Sequence, residues 1–104
     1  MSKFVFAYRG GRGMAATPEA QEKAMAEWGA WFGSLGGNLV DGGSPFGAAV
    51  TVQPDGGSTE GGSAALTGYS VVDASDLATA AALAKGCPLL ADGGTVDVYE
   101  ALAM

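Results

Sequence analysis

The stretch LTGYSVVDASDLATAAALAKGCPLLADGGTVDVYE, Leu66 to Glu100, decides the fold because it writes a strand, a helix, a helix stop and a second strand in succession. Tyr69 to Val72 is an apolar run of strand length. Ser75 is placed to cap a following helix through its hydroxyl, and Asp76 to face the positive end of the helix dipole. From Leu77 to Lys85 alanine and leucine dominate, with a cation in the last turn. Gly86 suits the left-handed position past the helix, and Pro88 opposes its resumption. After the turn at Asp92, Gly93 and Gly94, the run Thr95 to Tyr99 alternates. That predicts Val96 and Val98 on the buried face and Asp97 and Tyr99 on the other.

Working outward, Lys3 to Tyr8 is a strand with apolar side chains on both faces: Phe4, Phe6 and Tyr8 on one, Val5 and Ala7 on the other. Thr17 and Pro18 start a helix that runs to Leu35, with Glu19 in its favourable first turn. Met25, Trp28, Phe32 and Leu35 recur at three and four residues and predict the stripe that meets a sheet. Trp31 falls off the centre of that stripe, at the edge of the core, at a subunit contact or on a pocket wall. Gly36 and Gly37 end the helix, and Asn38 to Asp41 is a short strand. A loop follows from Gly42 to Gly47, then a strand from Ala48 to Val52. Pro54 to Ser63 is a polar, glycine-rich loop.

With the opening stretch added, the order is strand, helix, three strands, helix, strand, one strand more than the strand, helix, strand, strand, helix, strand of a ferredoxin-like unit, to which we assign it. This predicts an α+β, ferredoxin-like βαββαβ domain with a four-stranded antiparallel sheet, formed by residues 1–104 as one unit. Two helices cover only one face of such a sheet, whereas the first strand is apolar on both. A second copy closing over the bare face, as a dimeric α/β barrel or a face-to-face sheet pair, removes the conflict.

Composition narrows the function. Eleven acidic against five basic residues give a net charge of −6, which opposes binding to a phosphate backbone, so nucleic acid is not an expected partner. No run approaches the roughly 20 apolar residues of a spanning helix, and the first residues lack the hydrophobic segment of a signal peptide. The expectation is a cytoplasmic protein without a membrane partner. One cysteine, Cys87, and no histidine remove an internal disulfide, the usual zinc sites and histidine triads. No metal or cofactor is expected. Gly11, Gly13 and Ala16 have the spacing of a dinucleotide-binding turn, but Thr17 and Pro18 mark the helix start, and no acid follows a second strand at the required distance.

The chain resembles the YCII-related family, which includes the DGPF-domain proteins. The resemblance is carried by the first strand with Tyr8, Arg9 and Gly10, by LTGYSVVDASDLATAAALAKGCP, and by GGTVDVYEA near the end. It implies a ferredoxin-like dimer of the α/β-barrel kind. Some relatives carry a proposed catalytic histidine and aspartate, and here no histidine matches. The nearest counterpart of the DGPF motif is Asp55, Gly56, Gly57 and Ser58, without its proline and phenylalanine. Barrels of this kind include cofactor-free isomerases and monooxygenases acting on small molecules.

Candidate catalytic residues are Asp41, Asp97 and Tyr99. Asp41 sits where a strand meets a glycine turn, suited to proton transfer or to an Asx-turn. Asp97 and Tyr99 enter the inter-sheet space if the dimer closes, and a buried Asp97 requires a partner such as Arg9 or Tyr8. Candidate ligand-binding residues are Tyr8, Arg9, Ser44, Phe46 and Tyr69: Arg9 for an anionic ligand, Ser44 and Phe46 as a cleft rim. Successive residues face opposite ways, so Tyr8 and Arg9, or Tyr69 and Ser70, cannot share a cleft without a bulge. Cys87 suits packing better than nucleophilic chemistry. Two functional readings follow. One is a cofactor-free isomerase or lyase acting on a small polar or aromatic molecule; the other is a non-catalytic small-ligand-binding or accessory homodimer.

Overall fold

Strong strand formers at the start of the chain take the centre of the sheet, since residues apolar on both faces are best placed away from an edge. A computed structural model describes residues 2–10, 17–60 and 66–103. Its strand β1 (Ser2–Arg9) lies between β5 (Leu66–Ala74) and β6 (Thr95–Ala101), and β2 (Leu39–Pro45) completes a four-stranded sheet of order β2-β5-β1-β6. Every pairing is antiparallel. Helices α1 (Pro18–Leu35), α2 (Leu77–Ala84) and α3 (Pro88–Ala91) all pack on one face, and a 3-10 turn (Gly36–Asn38) joins α1 to β2. The fold is α+β, with no described helix long and apolar enough to cross a membrane. Gly11, Gly13 and Ala16, and the end of the Pro54–Ser63 loop, lie outside the described residues.

The helix-side core is Phe4, Phe6 and Tyr8 from β1, Val72 from β5, and Trp31 and Leu35 from α1, joined by Ala80, Ala84 and Cys87. A fully buried phenylalanine contributes about 1.5–3 kcal/mol, so Phe4 and Phe6 anchor the sheet to its helices. Val96 and Val98 face this core as the alternation predicts.

The expected bounds of α1 hold: the Thr17 hydroxyl accepts from the Ala20 N–H at 3.1 Å, Pro18 occupies the first turn, and Gly36 ends the helix at φ 55°. Its buried stripe differs. Trp31 is buried at its centre, flanked by Trp28, Phe32 and Leu35, while Met25 is 75% exposed. Residues 28, 31, 32 and 35 have the i, i+3, i+4, i+7 spacing of one helix face, and Met25 lies among residues 19–27, all exposed but the half-buried Ala24.

The second helix is capped by Asp76 rather than Ser75. Strand β5 runs on to the fully buried Ala74, and the Asp76 carboxylate accepts from the Thr79 N–H at 2.8 Å. Gly86 is needed for close approach rather than for a left-handed turn: a Cβ there would stand 3.1 Å from the Trp31 ring. Pro88 opens α3, because its missing N–H costs nothing in a first turn, and the left-handed glycine is Gly93 at φ 83°.

The expected third strand also changes. Only Val50–Val52 is extended (β3), and it pairs outside the main sheet with β4 (Ser58–Glu60). The strand that enters the sheet before α2 is β5. Asp55, Gly56 and Gly57 form the tip of the β3–β4 hairpin, where the Asp55 carboxylate accepts from the Gly57 N–H at 2.8 Å and Gly56 has φ 90°.

Candidate functional site

With all three helices on one side, the opposite sheet face has no described element over it, and its side chains follow from register. One row runs across the sheet from Ser44 to Tyr69, Ala7 and Asp97, and the next from Asp41 to Val71, Val5 and Tyr99. Arg9 is on the same face, and its Nε meets Asp97 Oδ2 at 2.8 Å. Phe46, just past β2, stacks on Tyr69 with ring centroids 5.8 Å apart. The small Ala7 sits between an aromatic wall of Phe46 and Tyr69 and the Arg9–Asp97 ion pair. Ala7 is only 6% exposed, with these larger neighbours in its row.

Five predicted residues therefore gather on this face: Arg9, Asp97, Tyr99, Phe46 and Tyr69. Ser44 shares the Tyr69 row at the β2 edge, where it is exposed.

Asp41 lies on the same side, but its carboxylate accepts from the Gly43 N–H at 2.8 Å in an Asx-turn. That turn fixes a bulge, marked by register shifts between Leu39 and Ser44. Asp41 therefore shapes the edge strand, and among the described residues it forms no ion pair.

Tyr8 stands apart from the other candidates. It points into the helix-side core, packs edge-on against Trp28, and donates to the Ser70 hydroxyl at 2.7 Å. Ser70 in turn donates to the Gly42 carbonyl at 2.7 Å, so the bulge, the centre of β5 and β1 are tied by one buried chain.

Burial raises the Tyr8 phenol well above its ordinary range, and the Ser70 hydrogen bond offsets only part of this. The phenol's folded-state pKa lies above the unfolded value of about 10, so its contribution is complete below that pH and lost as pH rises past it. Tyr8→Phe is expected to cost about 1 kcal/mol near neutrality and to flatten the alkaline loss of stability. Urea unfolding of both proteins at about pH 8 and about pH 11 checks this; parallel pH slopes would contradict it.

Cys87 is buried and its thiol is pushed up to about 11 by that burial, which suits packing rather than attack. Among the described residues, no group of three or more acidic, cysteine or histidine side chains is placed to hold a metal ion.

Sequence reading missed the Ala7 row and a second feature: an open depression of about 460 Å³ lined by Ser2, Lys3, Glu100, Ala101, Leu102 and Ala103. Alternation alone assigns residues to faces, whereas only register shows which of them stand side by side. No protein-family model, curated protein or solved structure matches the chain.

Proposed function

We infer that the protein is a cytoplasmic, YCII-related homodimer of ferredoxin-like domains, with two sheets facing each other as in a dimeric α/β barrel. In this reading it binds a small aromatic or polar molecule between them. The sheet order β2-β5-β1-β6 is compatible with that fold. The observation that carries the reading is the uncovered face itself. An ion pair and a stacked aromatic pair flank one small residue on it, a combination suited to a flat anion that stacks on Tyr69 and competes with Asp97 for Arg9.

Binding without chemistry fits the geometry best, because the Asp41 carboxylate serves its turn and that of Asp97 serves Arg9. The isomerase or lyase reading rests on Asp97 and Tyr99, which project two positions apart from the same face of β6. It requires Asp97 to exchange Arg9 for substrate.

Titration with benzoate and related aromatic carboxylates, followed by NMR, tests the proposal. The expected result is shifts confined to Phe46, Tyr69, Ala7 and Asp97, abolished by Arg9→Met. Arg9 is 44% exposed at its side chain, so its replacement costs no more than about 1 kcal/mol of stability. Shifts elsewhere, or unchanged binding by Arg9→Met, would overturn this site. Turnover lost in Asp97→Asn with binding retained would favour the catalytic reading.

A further inference from the structure

The two central strands carry matching side chains on the uncovered face. Beside Lys3, Val5 and Ala7 of β1 stand Asp73, Val71 and Tyr69 of β5. Lys3 and Asp73 are cross-strand neighbours of opposite charge, yet neither takes part in an ion pair among the described residues. Val5, Val71 and Tyr69 are half-buried, and Ala7 is the smallest side chain in its row.

Sheets that pack face to face lie about 10 Å apart, and in the aligned class their strands run within about 30° of each other. A two-fold axis parallel to the strands keeps every residue at its own height and reverses the order of strands. Placed midway between β5 and β1, the middle of the order β2-β5-β1-β6, it covers all four strands: β1 lies over the second copy's β5, and β6 over its β2. Lys3 then faces Asp73, Val5 faces Val71, and Ala7 faces Tyr69, each contact occurring twice. Other axes match worse. On β1 the axis sets Lys3 over Lys3 and Arg9 over Arg9, and on β5 it sets Asp73 over Asp73. An axis across the strands at the middle of β1 sets Lys3 over Arg9. Charge and side-chain size therefore select one way for a second copy to cover this face.

We propose that the ligand site is shared between the two copies, with Arg9 and Asp97 of one facing Ser44, Phe46 and Tyr69 of the other. Within one chain Tyr69 and Asp97 flank Ala7 from opposite sides, two strand spacings or about 9.5 Å apart. In the dimer the second copy's Tyr69 stands over Ala7 itself, beside Asp97, and its Ser44 stands over Asp97. The second copy's Phe46, stacked on that Tyr69, extends the aromatic roof past the end of β2 toward Arg9. A flat carboxylate held by Arg9 stacks on rings of the other copy and is enclosed between the two sheets. Each dimer holds two such sites, and a monomer holds none.

The inference rests on the proposed dimer and its ligand, and mixed dimers separate it from both. A wild type that stays monomeric at micromolar concentration, or a wild-type dimer that does not bind benzoate, overturns both. R9M and Y69A are each expected to lose benzoate binding, followed by NMR. Refolded together, they form mixed dimers in which Arg9 of one chain meets Tyr69 of the other, and binding is expected to return to about a quarter of the wild-type capacity. A mixture that stays inactive, with a wild type that binds, would overturn the shared site and leave a site within one chain. F46A in place of Y69A repeats the mixing without altering the ring that packs on Ala7. The axis has its own test. In K3D the facing pair is two acids and in D73K two cations, so only the mixed dimer opposes unlike charges. Native mass spectrometry of the two chains together is expected to show mixed dimers well above the share that random pairing gives, and random pairing would overturn the axis.

Discussion

Gly43→Ala is expected to remove at least about 3 kcal/mol of stability, a large part of the roughly 5–15 kcal/mol that a small domain possesses. Two effects coincide. Gly43 has φ 76°, where any side chain is strained, and a Cβ there would fall 1.7 Å from the Tyr69 carbonyl oxygen. That oxygen belongs to the backbone of β5, so it cannot swing aside without parting β2 from the sheet. The Asp41 turn and the Ser70 hydrogen bond to Gly42 would fail with it. Gly42→Ala is the matched control: its Cβ would stand 3.7 Å from the Phe32 ring, an ordinary contact, and the cost is expected below about 1 kcal/mol. Urea denaturation of the pair checks the bulge, and similar midpoints would contradict it.

The second large effect is expected at Trp31. Trp31→Ala should cost about 3–5 kcal/mol and lower the melting temperature by more than about 10 °C. Its ring stacks on Phe6 at 6.0 Å, lies against Trp28 and Phe32, and donates from Nε1 to the Leu83 carbonyl at 3.2 Å. That carbonyl is in the last turn of α2, where helix acceptors lack internal partners, so one side chain joins both long helices to the sheet. Trp31→Phe keeps much of the volume but leaves this acceptor unpaired. Calorimetry at fixed protein concentration should place it between wild type and Trp31→Ala. A loss below 1 kcal/mol in Trp31→Ala would put the residue at the edge of the core.

These two residues show where sequence reading succeeds and stops. Local rules placed α1 between Thr17 and Gly36, put Val96 and Val98 on the core side, and set Phe4, Phe6 and Tyr8 opposite Val5 and Ala7. Each depends on a neighbour within one turn or on period-two alternation. The phase of α1 was misread because Met25 and Trp31 both fit a helical stripe, and only the extent of the sheet decides which one meets it. Ser75 and Asp76 could each cap α2, and the length of β5 settled the choice. The pairing of β3 with β4, rather than with the main sheet, was not legible because short runs such as Val50 to Val52 fit either partner. The Arg9–Asp97 pair was foreseeable from charge and face, whereas the Asp41 bulge and the Ala7 row depend on register with β5, which no local pattern encodes.

The central claim is that the uncovered sheet face belongs between two copies of the chain. Sedimentation equilibrium of the wild-type protein at micromolar concentration tests it most directly. The expected result is a species of twice the 10.3 kDa chain mass, converted to monomer by Val71→Glu at the centre of that face. A wild-type protein that sediments at 10.3 kDa throughout that range would contradict it.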